Sequence, residues 1–348
     1  MGLTGLAIYR IDLVGGVGRV RRSAVAFVAA TALALALAIP LAVTNTYYLH
    51  VFVALFINIV LAGSLNFILG YVGEKSLGHA AFFGIGAYVS AILAVRYGTP
   101  VWLAMPAAAV VAGVVGVAIG YPSLRLRGPY FAIVTLGFGA ILQLIATNWV
   151  GMTKGPMGIP GVPPLALPVP GVGEYVFQSE RPYYYAGLLL VAATLFLTWR
   201  IQNSRTGRAF VAIRENFDLA ESVGINTFRY KMIAFVLGTV IAGFIGAFYG
   251  HYANFVSPKA LDTAITLNVV TMVIIGGEGT VIGPVLGALV VTLLPEVLRV
   301  ADNMRMVIFA LILLFTIIYA PAGIMGLAAG LTRRFARKGA KRVVRSAA

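Results

Sequence analysis

A succession of apolar stretches, most of them close to membrane length, runs along this chain and constrains its fold more than any other feature. They lie at about 24–44, 48–70, 77–95, 101–121 and 129–148, then at about 183–199, 232–252, 263–276, 281–298 and 306–320. Crossing a bilayer core takes roughly 20 residues of helix, and only 263–276 is short enough to read as a half-helix. A soluble globule must cover itself mostly with water-compatible groups. Here 60% of 348 residues are hydrophobic and 11% charged, so lipid has to act as the solvent for much of the surface. The sequence predicts an all-α, polytopic integral membrane protein with about ten transmembrane helices. They form one transmembrane domain over 24–325, between an N-terminal segment 1–23 and a basic tail 326–348.

A net charge of +15 would point a soluble protein toward nucleic acid. The placement of the charges points elsewhere. If every stretch crosses once, only Arg96, Lys154, Arg181, Lys259, Arg299 and Arg305 of the 26 basic residues fall on one side. The rest gather on the other, which the positive-inside rule makes cytoplasmic. Both termini are then cytoplasmic, and the basic tail is a topology signal and lipid-surface contact, not a nucleic-acid site. The first stretch follows basic residues, and Ala36-Leu37-Ala38 resembles a cleavage site, but its length and the spans that follow read as a retained anchor. There is no cysteine, which excludes disulfides and cysteine metal sites. The three histidines, His50, His79 and His251, stand far apart, so no metal site is expected.

Three segments between spans stand out. In the first, Gly73-Glu74-Lys75-Ser76 reads as a short cytoplasmic turn with Ser76 as N-cap of the next helix. Gly78, Gly84 and Gly86 then give that helix a bare face, for close packing or a narrow passage. The turn is not a phosphate loop, because Glu74 separates Gly from Lys and no strand precedes it. The second segment, 149–182, is a long non-cytoplasmic loop rich in Pro and Gly, either a docking surface or a structured cap. The third, 203–228, holds Phe210, Ile213, Phe217 and Ala220 on one face of a short amphipathic helix, with Gly224 as terminator. Glu215, Asp218 and Glu221 make it better suited to being gripped by a cytoplasmic protein than to lying on an anionic bilayer.

Charges inside the spans are scarce. Glu278 reads as part of an edge turn and Glu296 lies near the end of its stretch, so neither makes a proton or ion relay. An energy source outside the chain follows. A free-standing carrier or channel would need coupling charges, and an intramembrane enzyme a paired catalytic constellation; neither is visible.

Against this background the residues resemble a family. Gly70–Tyr88, Leu124–Gly139, Gly155–Gly161, Gly207–Asn226 and Gly276–Ala288, in that order, are similar to the LivM-type membrane subunit of branched-chain amino-acid ABC importers. The resemblance implies a second homologous permease subunit, two cytoplasmic ABC ATPase subunits, a periplasmic solute-binding protein and a bacterial cytoplasmic (inner) membrane. No cofactor is expected in this chain, since ATP and Mg would be bound by the partner ATPases, and no nucleic acid. It also implies an ATPase-coupling role for Arg208, Phe210, Ile213, Glu215, Phe217, Ala220 and Gly224. Pro156, Gly158, Pro160 and Gly161 would belong to the loop that docks the binding protein. Candidates for the pathway are neutral polar residues at helix starts and breaks: Asn66, His79, Thr135, Gln143, Asn268 and Thr271. Each also reads as interhelical hydrogen bonding. Urea and short-chain amide importers have similar subunits and form the alternative substrate class.

Overall fold

A computed structural model describes residues 45–299 except 127 and 170–172, with isolated positions between 31 and 41 and between 304 and 327. The expected first and last spans, the segment 1–23 and the tail 326–348 lie wholly or largely outside the described residues.

Among the described residues, six helices are long and apolar enough to cross a membrane. These are α1 (Thr46–Asn66, extended by a π-helical turn over Phe67–Val72), α2 (His79–Tyr97), α3 (Val101–Ser123) and α4 (Pro129–Asn148). After the long loop come α5 (Glu180–Gln202), the short α6 (Arg205–Glu215) and α7 (Phe217–Ser222), and α8 (Thr227–Ala253). Two shorter apolar helices follow, α9 (Thr263–Gly276) and α10 (Gly283–Val297). Fourteen residues rise about 21 Å, so α9 falls short of a bilayer core, as its sequence suggested. The 15-residue α10 is also shorter than the stretch read at 281–298, because its chain turns helical only after the Gly276–Ile282 bend.

The all-α expectation needs one amendment. Two small antiparallel β pairs close the loop end: β1 (Ile159–Pro160) with β4 (Phe255–Val256), and β2 (Ala166–Val169) with β3 (Gly173–Val176). Backbone groups in a loop packed on helices need partners, and these ladders supply them.

Helix α1 is central: 78% of its most apolar window is buried inside the protein, against 28% for α4 and α5. The exposed Ile133, Ile141 and Leu144 of α4 and Leu189 and Phe196 of α5 form apolar flanks suited to lipid. Around α1, helices α2, α3 and α8 pack through small residues. A Cβ on Gly86 would strike the backbone of Gly243, and one on Gly246 the carbonyl of Phe83. Gly116 meets Thr239 and Gly113 meets Val240 in the same way. Backbones approach this closely in membranes because dispersion contact, not water exclusion, holds helices together there. The glycine face of α2 is therefore a packing face in this structure, with Gly84 against the Leu261 side chain and Gly78 against Thr135.

Helix α2 begins at His79, later than the expected cap at Ser76, whose buried hydroxyl finds no partner among the described residues. Threonines from other helices do the capping. Thr135 of α4 accepts from the Leu77 amide at 3.0 Å, and Thr266 of α9 accepts from the Ala80 amide at 2.9 Å. These bonds set the start of α2 beside the first turn of α9, inside the fold.

Candidate functional site

The polar features gather at two ends. One end holds the 73–78 turn, the α6–α7 knob and the 277–282 bend; the other holds the 149–179 loop and the start of α1.

The knob is built from strong local signals. Ser204 caps α6 by accepting from the Gly207 amide, and Gly207 has no room for a Cβ against the Ile201 carbonyl. Asn216 then leaves helical conformation (φ −158°, ψ 108°) and caps α7 by accepting from the Leu219 amide at 3.0 Å. The single helix expected here is thus two, because an asparagine satisfies a new N-terminus at lower cost than it continues the old helix. Gly224 (φ +87°) ends α7, with Ile225 N–H reaching the Ala220 carbonyl and Gly224 N–H that of Glu221. A third cap, Asn226 to the Arg229 amide, starts α8.

Of the expected coupling residues, Phe210, Ile213 and Ala220 are buried and Phe217 is half-buried, all turned toward the membrane helices. Arg208, Glu215 and Gly224 face outward. So the set divides into an inner face that seats the knob and an outer face free to meet another surface. Sequence reading missed the most exposed apolar pair on that outer face, Leu219 at 61% and Val223 at 69%. They sit four residues apart, Leu219 in α7 and Val223 at its C-terminal cap, and that spacing was the available signal.

Two basic side chains fasten the knob. Arg214 of α6 donates to the Gly70 carbonyl in the π turn of α1 and lies 3.9 Å from the Glu278 carboxylate. Lys231 of α8, only 3% exposed, bonds Glu74, and its ammonium sits 4.5 Å over the Phe217 ring of α7. The knob is therefore tied to α1 through one helix and to α8 through the other.

The pathway candidates do not converge. Asn66 is fully buried, its amide donating to the Thr280 carbonyl at 2.9 Å while its oxygen accepts from the Gly279 amide at 3.0 Å. It pins the 277–282 bend to α1. His79 is buried with Nε2 2.7 Å from the Ser64 hydroxyl. Ser64 donates to the Leu61 carbonyl, so it accepts from His79, which leaves Nδ1 as a buried acceptor without a partner. Thr135 is the buried cap of α2 described above. Gln143 and Thr271 are half-buried, and Asn268 is exposed on the flank of α9.

At the opposite end, Pro156, Pro160 and Gly161 are exposed, while Gly158 is buried against the Val256 carbonyl. Met157, between them, is 84% exposed and forms an apolar tip that the sequence reading passed over. The loop is anchored from below: Thr153 donates to the Ala146 carbonyl, and His251 Nδ1 lies 2.7 Å from the Pro163 carbonyl. A chain of polar side chains runs beneath it. Tyr252 donates to Glu180 at 2.7 Å and lies 2.6 Å from His50 Nδ1. Near the start of α1, Tyr47 bonds Glu296, and Arg299 donates to the Tyr47 hydroxyl at 2.7 Å.

Residues 47–317 match a family profile described as branched-chain amino acid transport system, permease component. The match takes in both ends. The high-affinity branched-chain amino acid transport system permease protein LivM of Salmonella typhimurium is 32% identical over 291 residues, covering 77% of this chain and 68% of its own length. LivM of Escherichia coli is 33% identical over 287 residues with the same coverage. The permease protein LivH of the same bacterium is 27% identical over 291 residues, spanning 90% of its length. No solved structure matches the chain significantly.

Proposed function

The chain belongs to the family of branched-chain amino acid transport system permeases, and on that premise we propose that it is the membrane-spanning subunit of an ATP-driven importer. It carries branched-chain amino acids inward, powered by separate ATPase subunits. The observation that carries this reading is the match over 47–317, which includes a knob whose outer face has acids, an arginine and two exposed aliphatic side chains.

In this reading the basic end faces the cytoplasm of a bacterium, both termini lie there, and about ten helices cross the inner membrane. Leu219, Val223, Arg208 and Glu215 meet an ATPase, which holds the ATP and Mg itself. Phe210, Ile213, Phe217 and Ala220 pass its movement to α1 and α8. A second homologous permease and a second ATPase complete the assembly. The Pro156–Gly161 tip receives a periplasmic binding protein. The bonds of Asn66, His79 and Thr135 join helix starts and bends, so they are joints at which the pathway opens, and Gln143, Asn268 and Thr271 are its further polar candidates.

Purification from the native membrane in mild detergent tests this. A second permease and two P-loop ATPases should remain bound. A chain that emerges alone and moves solute into liposomes without ATP would overturn the reading.

A further inference from the structure

Between α8 and α9 the chain does not cross cleanly. After Ala253 it pairs β4 with β1 and then turns inward through Pro258–Leu261 before α9 begins. Ala260 and Leu261 rest against Gly84 of α2. Gly84 lies 13 residues before Tyr97, the last residue of α2, which at about 1.5 Å per residue is about 20 Å from that end. The coil thus reaches toward the middle of a layer about 30 Å thick. Lys259, expected in an outer loop, is carried down with it.

Beside this coil lies a cavity of about 360 Å³, partly open, within the size range of small-molecule sites. Ile57, Leu61, Phe83 and Ile265 give it an apolar wall. Along α1 it extends from His50 to Leu61, about 16 Å. His50, Asn58 and Lys259 supply its polar groups. Among the described residues no carboxylate pairs with Lys259, which is exposed. The nearest acid in sequence, Asp262, accepts from the Ala264 amide as the cap of α9. The Asn58 amide donates to Thr292 at 2.9 Å, leaving its oxygen as an acceptor. Tyr252 gives its proton to Glu180 and so takes one from His50 Nδ1, which in the neutral ring leaves the other nitrogen as an acceptor.

A charge at membrane depth is costly and persists where it serves a solute. Sites of this kind form at interrupted helices near the midplane. We infer that this cavity is a transit site for a small aliphatic α-amino acid. Lys259 receives the carboxylate, Asn58 and His50 offer acceptors to the ammonium, and the Ile57–Leu61–Phe83–Ile265 wall takes the side chain. The assignment rests on the importer reading above.

The test uses the complete complex in liposomes, with ATP inside, loaded binding protein outside and radiolabelled leucine as the probe. Lys259→Met should lower leucine uptake about ten- to hundredfold, the loss of one charge-assisted hydrogen bond. ATPase stimulated by the loaded binding protein should stay within about twofold, because the knob and the outer loop are untouched. Lys259→Arg should restore most of the uptake. Ala54→Phe, which fills the cavity from α1, should block uptake with the same ATPase signature and decides the matter if Lys259→Met fails to assemble. Normal uptake by Ala54→Phe, or by an assembled Lys259→Met, overturns the transit site. A wild-type complex with no ATP-dependent leucine uptake overturns the importer reading instead.

Discussion

Glu74→Leu is the substitution whose cost the structure fixes most closely. The side chains of Lys231 and Glu74 are 4% and 13% exposed, so both charges have given up most of their water. Removing the carboxylate leaves the ammonium without that partner, with the Phe217 ring 4.5 Å away. Breaking a buried pair from one side costs about 3–5 kcal/mol. The remaining aromatic face still attracts the cation, which sets the expectation at the low end, about 3 kcal/mol. That is roughly a hundredfold in the unfolding equilibrium. Lys231→Met alone should cost less, because a solitary carboxylate at 13% exposure is nearer to water. The double variant Glu74→Leu/Lys231→Met should return to within about 1 kcal/mol of wild type, since an apolar pair of similar volume can replace a buried ion pair. Equilibrium unfolding of the purified chain in mixed micelles reads all four proteins as one cycle. A Glu74→Leu variant within about 0.5 kcal/mol of wild type, or a double variant as unstable as the sum of the singles, would refute the buried-pair argument.

Three further outcomes follow from other parts of the molecule. Gly246→Leu should destabilise the chain by about 1–3 kcal/mol or more, read in the same unfolding assay, because the added side chain strikes the Phe83 backbone; a neutral effect would mean that α2 and α8 part freely. Glu215→Lys and Gly224→Asp should each abolish uptake while the protein still reaches the membrane, which immunodetection in membrane fractions and leucine uptake can check together. Gly224→Asp adds a strain of about 1–3 kcal/mol at φ +87°, in a place where a Cβ meets nothing, so a loss larger than folding explains belongs to the partner contact. Replacing the loop 155–161 with a flexible polar loop should weaken stimulation of ATPase by the loaded binding protein; unchanged stimulation would make the loop a cap.

The long helices were legible because each is a run of apolar residues of bilayer length, a signal that needs no knowledge of neighbours. The stretch read at 129–148 coincides with α4, and those ending near 95 and 121 stop within a few residues of the observed helices. The knob was legible in place but not in form. Its apolar spacing continues through Phe217, so periodicity sees one helix, while the break depends on Asn216 finding an amide to cap. Partners remote in sequence gave no signal: Glu74 and Lys231 lie 157 residues apart, and Thr135 caps a helix that starts 56 residues earlier. The inward turn over Pro258–Leu261 gave no signal, since hydropathy records where a run ends and not how the following coil packs. The small residues of α2 were open to two meanings, and the Gly243 backbone opposite Gly86 and the Leu261 side chain opposite Gly84 decide for packing.

The division of the knob at Asn216 has a mechanical consequence. A single rod pressed from below can only push or tilt as one piece. In the importer reading, two short rods joined by one extended residue would act as a crank: the first, held by Arg214, would move α1, and the second, held through Phe217, would move α8. One stroke can then turn two beams by unequal angles, with Asn216 as the axle between them.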